Sequence, residues 1–287
     1  MEIVQVNQAE MLQAINRSEV DMQISTAKAY PRDVKAALER IAEIATLDQE
    51  TASDCFYVLH RNGASGQVTI EGLSVRMAEI IAGAWGNLRV QARVIGNDGK
   101  TLTAQAVCHD LETNFAVSVE VKRRITDKNG KTYSEDLQVV TGNAACAIAF
   151  RNAVLKVVPK AVTKKVINNV KEVAIGKALD VETSRQNCIA NFAKLGVSTD
   201  MICSYLDIKS VEDIGKNELF ILRGAWNAIK EGTTSVKETF VQPQEEKRIA
   251  EKAKSKAQGA KERAQQAIAR QKQNNATDND LQLNNEQ

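Results

Sequence analysis

The chain has 287 residues, 43% of them hydrophobic and 26% charged, and a formal net charge of +2. That supports one sizeable core with a smaller companion, and no apolar run approaches the roughly 20 residues of a membrane span. The five cysteines are scattered without a CxxC pair, which argues against a zinc knuckle or disulfide framework and for reduced thiols in a cytoplasmic protein. The N-terminus has neither a basic segment nor an apolar signal core, so export is not expected.

Residues 1–30 are polar and weakly patterned and read as an arm. Pro31 sits where a first-turn proline belongs, and Val34, Leu38, Ile41, Ile44 and Ala45 recur at helical spacing, which predicts an amphipathic helix to about Thr46. Cys55–Leu59 reads as a strand. Residues 61–66, Arg-Asn-Gly-Ala-Ser-Gly, form a glycine-bearing turn, and 67–70 return as its partner. A short helix from Leu73 to Trp85 stops at Gly86-Asn87.

Leu88, Val90, Ala92 and Val94 then alternate with Arg89, Gln91 and Arg93. Asn97-Asp98-Gly99 is a tight turn, after which Leu102, Ala104, Ala106 and Cys108 alternate with Thr103, Gln105 and His109. A third strand alternates Phe115, Val117, Val119 and Val121 with Ser118, Glu120 and Lys122, and Asn129-Gly130 marks another hairpin. Period-two patterning fixes which side chains look outward. Leu137–Val158 predicts a helix dense in small residues that packs closely on the sheet and ends at Pro159. A second, lysine-bearing helix continues to about Ala178.

The expected class is α+β: a curved antiparallel meander on a long helix, occupying 31–178. Residues 180–232 read as a small helical module for a partner, with a cap at Ser198 and a stop at Gly232. Residues 243–287 read as a charged, low-complexity tail without an apolar stripe.

Two histidines leave little room for His-dependent catalysis, and no GxxxxGK(S/T) loop is present. No cofactor, metal or enzymatic activity is expected. One catalytic alternative stands. Asp110 with Glu120-Val121-Lys122 has the E-x-K spacing of metal-dependent nucleases, in which two carboxylates hold the ion and a lysine orients water. Bases outnumber acids from Lys122 to Lys171 and again from Lys247 to Lys272, which points to an anionic partner. If the sheet curls over the long helix, Arg61, Arg89, Arg93, Lys122, Arg123, Arg124, Lys128, Lys131, Arg151, Lys156, Lys160 and Lys164 line one groove. Such a groove binds phosphates in a salt-sensitive, sequence-tolerant way. Aromatics are only 4% of the chain, with Tyr57 and Tyr133 the stacking candidates near the strip, so backbone contacts are expected to dominate.

The order hairpin, helix, three strands, long helix is similar to the core of single-strand annealing proteins. These are the phage recombinases of the RecT and Redβ kind and the eukaryotic Rad-fifty-two annealing domain. Locally the resemblance lies in residues 61–66, in Ile70-Glu71-Gly72 and in Trp85-Gly86, and it spans roughly residues 50–160. It implies that Arg61, Arg151 and Lys156 take the family's places in an inner DNA groove. The family's long helix is richer in bases than this one. From the charges alone, Lys122, Arg123 and Arg124 are the compensating cations. The resemblance further implies an ATP-independent protein of phage or prophage recombination and repair. Such a protein forms rings or filaments, coats single-stranded DNA and pairs complements, alongside a single-strand-binding protein or companion exonuclease. The binding alternative is a nucleic-acid scaffold that does not anneal.

Overall fold

The computed structural model describes residues 8–63, 66–127, 129–176 and 181–240. Helix α1 (Gln8–Ala29) lies where a polar arm was expected. It contains no glycine or proline to break it, yet among its described side chains only Ala27 is buried. Asp33 caps α2 (Val34–Ala45), its carboxylate accepting from the amides of Lys35 and Ala36. The buried stripe is Ala37, Ile41 and Ala45, and Val34 and Ile44 face outward. A short α3 (Gln49–Asp54) leads into the first hairpin.

Strands β1 (Phe56–Gly63) and β2 (Gly66–Leu73) pair from Phe56 opposite Leu73 to Gly63 opposite Gly66, so the strands run longer than expected. Helix α4 (Val75–Trp85) is capped by Ser74, whose hydroxyl accepts from the Met77 amide, and closes at Gly86, φ +74°. The meander β3 (Leu88–Asn97), β4 (Thr101–Asp110) and β5 (Phe115–Arg124) is antiparallel in the order β3-β4-β5. Asp98 closes the first turn by accepting from the amides of Lys100 and Thr101, and Gly99 takes φ +82° there.

Leu102, Ala104, Ala106 and Cys108 are buried against α5 (Glu135–Val157), whose Ala145, Ala149 and Ala153 have no exposed surface. Small side chains let the helix sit close: a Cβ at Gly142 would touch Val94 and Leu102 at 3.4–3.5 Å. The apolar phase of β3 behaves differently from expectation at its far end. Ala92 and Val94 are exposed, the valine by 45%, because β3 is a sheet edge.

Helix α6 (Lys160–Ile175) buries Val170 and Ala174 in the main core and ends at Gly176. Helices α7 (Val181–Lys194), α8 (Thr199–Leu206), α9 (Lys216–Lys230) and α10 (Val236–Phe240) share a second cluster around Phe192, Ile202, Tyr205 and Leu222. They are docked on the rest. Phe220 meets Phe56 edge-on at 5.5 Å, and the Asn227 amide donates to the carbonyls of Ser53 and Phe56. The described residues all belong to one compact unit ending at Phe240. Among them no helix is long and apolar enough to cross a membrane. The expected tail, 243–287, and Lys128 lie outside the described residues.

Candidate nucleic-acid interface

Residues opposite one another in an antiparallel pair share a face, so the register divides the β3-β4-β5 sheet into two chemically distinct sides. The side in phase with Leu102, Ala104 and Ala106 faces α5. The other carries Arg93, Gln105 and Glu120 in one row, Arg89, His109 and Ala116 in a second, and Gln91, Val107 and Ser118 in a third. Toward the β3–β4 turn, Thr103 pairs with Lys122 and Thr101 with Arg124. Arg93, Lys122 and Arg124 are exposed, and Glu120 is the one acid in that phase of the three strands. The isolated bridge Thr126–Thr132 brings exposed Lys131 to the same end, where the Thr132 hydroxyl donates to the Gly99 carbonyl at 3.0 Å.

Helix α1 flanks this face at β3. Arg89 donates to Gln23 Oε1 at 2.9 Å and lies 3.9 Å from Glu19. Between α1 and β3 an open cleft of about 610 Å³ is lined by Asn16, Val20, Arg89, Gln91, Ala92 and Arg93.

The single groove expected from the charge count is not what the fold builds. Arg123 is in phase with Leu102 and points to the α5 side, where its guanidinium donates to the carbonyls of Gly232 and Thr233. Arg151 is only 6% exposed, stacks over the Tyr57 ring at 4.7 Å and lies 3.9 Å from Glu231. Both are held by neighbours inside the fold, so neither lines an open trough here. Lys156, Lys160 and Lys164 are exposed around the α5–α6 junction. Lys156 stands about 20 Å along α5 from Gly142, on the layer behind the sheet. Lys122 and Arg151 therefore belong to opposite sides of the sheet. Arg61 is on β1 opposite Val68, and its side chain lies outside the described residues.

The nuclease constellation does not assemble either. Asp110 is in phase with Cys108 and is buried, with its carboxylate 3.0 Å from Arg32 and accepting from the amides of Glu112 and Thr113. Burial by itself raises its pKa, but the Arg32 hydrogen bond and these amides bring it below the ordinary aspartate value. Glu120 and Lys122 face the other way, across the sheet. Among the described residues no three His, Cys, Asp or Glu gather as a metal set. The stacking candidates are engaged as well. The Tyr57 ring covers Gly72, where a Cβ would come within 2.5 Å of it, and Tyr133 packs on the cluster of Leu102, Ala104 and Ile125. Cys55 and Cys108 are buried, which pushes their thiols up to about 12 and about 11.

Two residues that the sequence reading passed over organise these surroundings. Arg32 clamps the α4–β3 turn, and Glu231 meets Arg151. Neither sits in a local pattern, since each finds its partners far along the chain. Family models, curated proteins and solved structures yield no match to this chain.

Proposed function

We propose that this chain holds single-stranded DNA along the outer face of the β3-β4-β5 sheet and pairs complementary strands without nucleotide hydrolysis. The observation that carries the reading is the register, which sets exposed Arg93, Lys122 and Arg124 on one face, with Arg89 held beside Gln23 and Glu19 at its α1 edge, hydroxyls and amides between them, and Glu120 the one acid of that phase on the strands. Cations on a pleated surface neutralise phosphates and release condensed counterions whatever the base sequence. With no free aromatic platform described on that face, bases are not sequestered by stacking, and their pairing edges stay open to a second strand. Pairing of complements is supported by the resemblance, whose order of hairpin, helix, three strands and long helix is the order of β1-β2, α4, β3-β5 and α5. Assembly into a ring or filament, a recombination partner such as a single-strand-binding protein or exonuclease, and cytoplasmic location belong to the same proposal.

The test is an annealing assay with complementary oligonucleotides, run with and without ATP and Mg²⁺. Acceleration independent of both is expected. Binding without acceleration would leave a scaffold, and metal-dependent shortening of the strands would replace the reading with a nuclease.

A further inference from the structure

Helix α1 is held to the rest of the described chain along one side only. Val20 lines the cleft against β3, Ala27 is buried, and Gln23 and Glu19 reach Arg89. A turn of about 100° per residue puts Met11, Ile15 and Met22 within about 40° of one another on the opposite side, where they are 53%, 47% and 65% exposed. Ser18, Ser25 and Ala29, also exposed, fill out that stripe in steps of four and three residues, the spacing by which one helix packs along another. Most of a helix's stability comes from burying such a face, and no described residue covers this one.

A row of charges runs beside the stripe. Glu10, Arg17, Asp21 and Lys28 are all exposed and lie about 100° round the helix from Met11, close to one line. Among the described residues none of the four has an ion-pair partner. Read in reverse, the row meets its own opposite at every step. A second α1 laid antiparallel, with Glu19 level with its copy, sets Glu10 level with Lys28 and Arg17 level with Asp21, each twice by symmetry. In antiparallel pairs the same flank of each helix meets, so these charges face each other across the contact.

The apolar stripe fits the same register. Ile15 comes about one residue rise, roughly 1.5 Å along the axis, from level with Met22 of the second copy. Met11 falls between that copy's Ser25 and Ala29, and the two Ser18 side chains meet beside the two-fold axis. Nothing local forces the apolar and charged patterns to agree. Glu19, set across from its copy on the other flank, is answered by Arg89 of its own chain at 3.9 Å.

We propose that α1 is a two-fold interface, pairing antiparallel with α1 of a second copy of this chain. Such a contact joins identical surfaces and closes at two, whereas a ring or filament joins two different surfaces head to tail. It does not rest on the function proposed above, and it uses the side of α1 turned away from the β3-β4-β5 sheet.

The test is sedimentation of the full chain over a range of concentrations. Ile15→Glu and Met22→Glu should each halve the mass of the parent species, and any larger assembly built by other surfaces should keep its own contacts. Unchanged mass in both variants overturns the α1 pairing and leaves strand annealing untouched, while loss of annealing with the pairing intact sinks only the latter. Failure of both variants to fold would assign the stripe to the chain's own core and also overturns the pairing. Arg17→Asp and Asp21→Arg each turn an attraction into a repulsion on both sides of the axis and should weaken dimerisation about tenfold. Mixed in equal amounts, the two variants should recover parent-like association, because each then faces opposite charge; a mixture as weak as its components rejects the pairing. Under diamide, Ser18→Cys should give a covalent dimer that neither the parent, with its five cysteines, nor Gln13→Cys on the opposite side of α1 gives. Equal cross-linking of the two cysteine variants would likewise overturn the proposal.

Discussion

Arg32 and Arg93 show how differently one residue type is used in this protein. Arg93 is exposed on a strand, whereas Arg32 is threaded among carbonyls and a carboxylate. Its Nε donates to the Trp85 carbonyl, Nη2 to the Gly86 carbonyl and Nη1 to Asp110, all at 2.9–3.0 Å, with the guanidinium 4.6 Å from the centre of the Trp85 ring. Arg32→Ala leaves Asp110 buried without its cation and is expected to cost about 3–5 kcal/mol at neutral pH, measured by urea unfolding. The folded-state pKa of Asp110 is lowered. Its pairing therefore stabilises the fold fully above the ordinary aspartate range and loses that effect as pH falls through the lowered value. The variant's deficit should narrow in acid, and a deficit constant from neutral pH to acid would show that packing alone accounts for it. Charge counting cannot separate these two arginines, because Arg32 finds its partner Asp110 78 residues away.

At the scale of elements, local pattern was a good guide where local physics decides. The alternation of β4 and β5, the Asn97-Asp98-Gly99 turn and the small-residue face of α5 have the expected form, since side-chain period and positive-φ turns are set by neighbours in the chain. The docking of α9 on β1 was not legible. It depends on Gly224 meeting Val58, and on Asn227 reaching carbonyls in the last turn of α3 and at the start of β1. A Cβ at Gly224 would come 2.9 Å from the Val58 backbone nitrogen, which cannot swing aside as a flexible side chain does. Gly224→Ala is expected to destabilise by about 1–3 kcal/mol despite its gain in helix propensity. A rise in Tm instead would mean that the hairpin yields freely to α9.

On the scale of the whole molecule, the basic residues are divided between two sides of one sheet. Arg93 and Lys122 project from the outer face, and Lys156 and Lys160 stand at the α5–α6 junction behind it. Strand binding through the outer face predicts an asymmetry. Arg93→Ala with Lys122→Ala should lower the slope of log K against log salt by about one to two, while Lys156→Ala with Lys160→Ala leaves it near the parent value. Equal losses from the two pairs would place the strand across both layers and remove the sheet face as the principal site.

The amino-acid sequence alone determined the α+β class, the strands of the meander, the long alanine-rich helix after them and the excess of basic side chains in this stretch. Each of these follows from periodicity or composition, which act over a few residues. Tertiary structure alone decided which cations reach solvent. Strand phase turned Lys122 outward and Arg123 inward, Asp110 was drawn to Arg32, and the end of α9 brought Glu231 to Arg151. Those outcomes depend on contacts between distant segments, and the energy of a charge is settled by what surrounds it after the chain has closed.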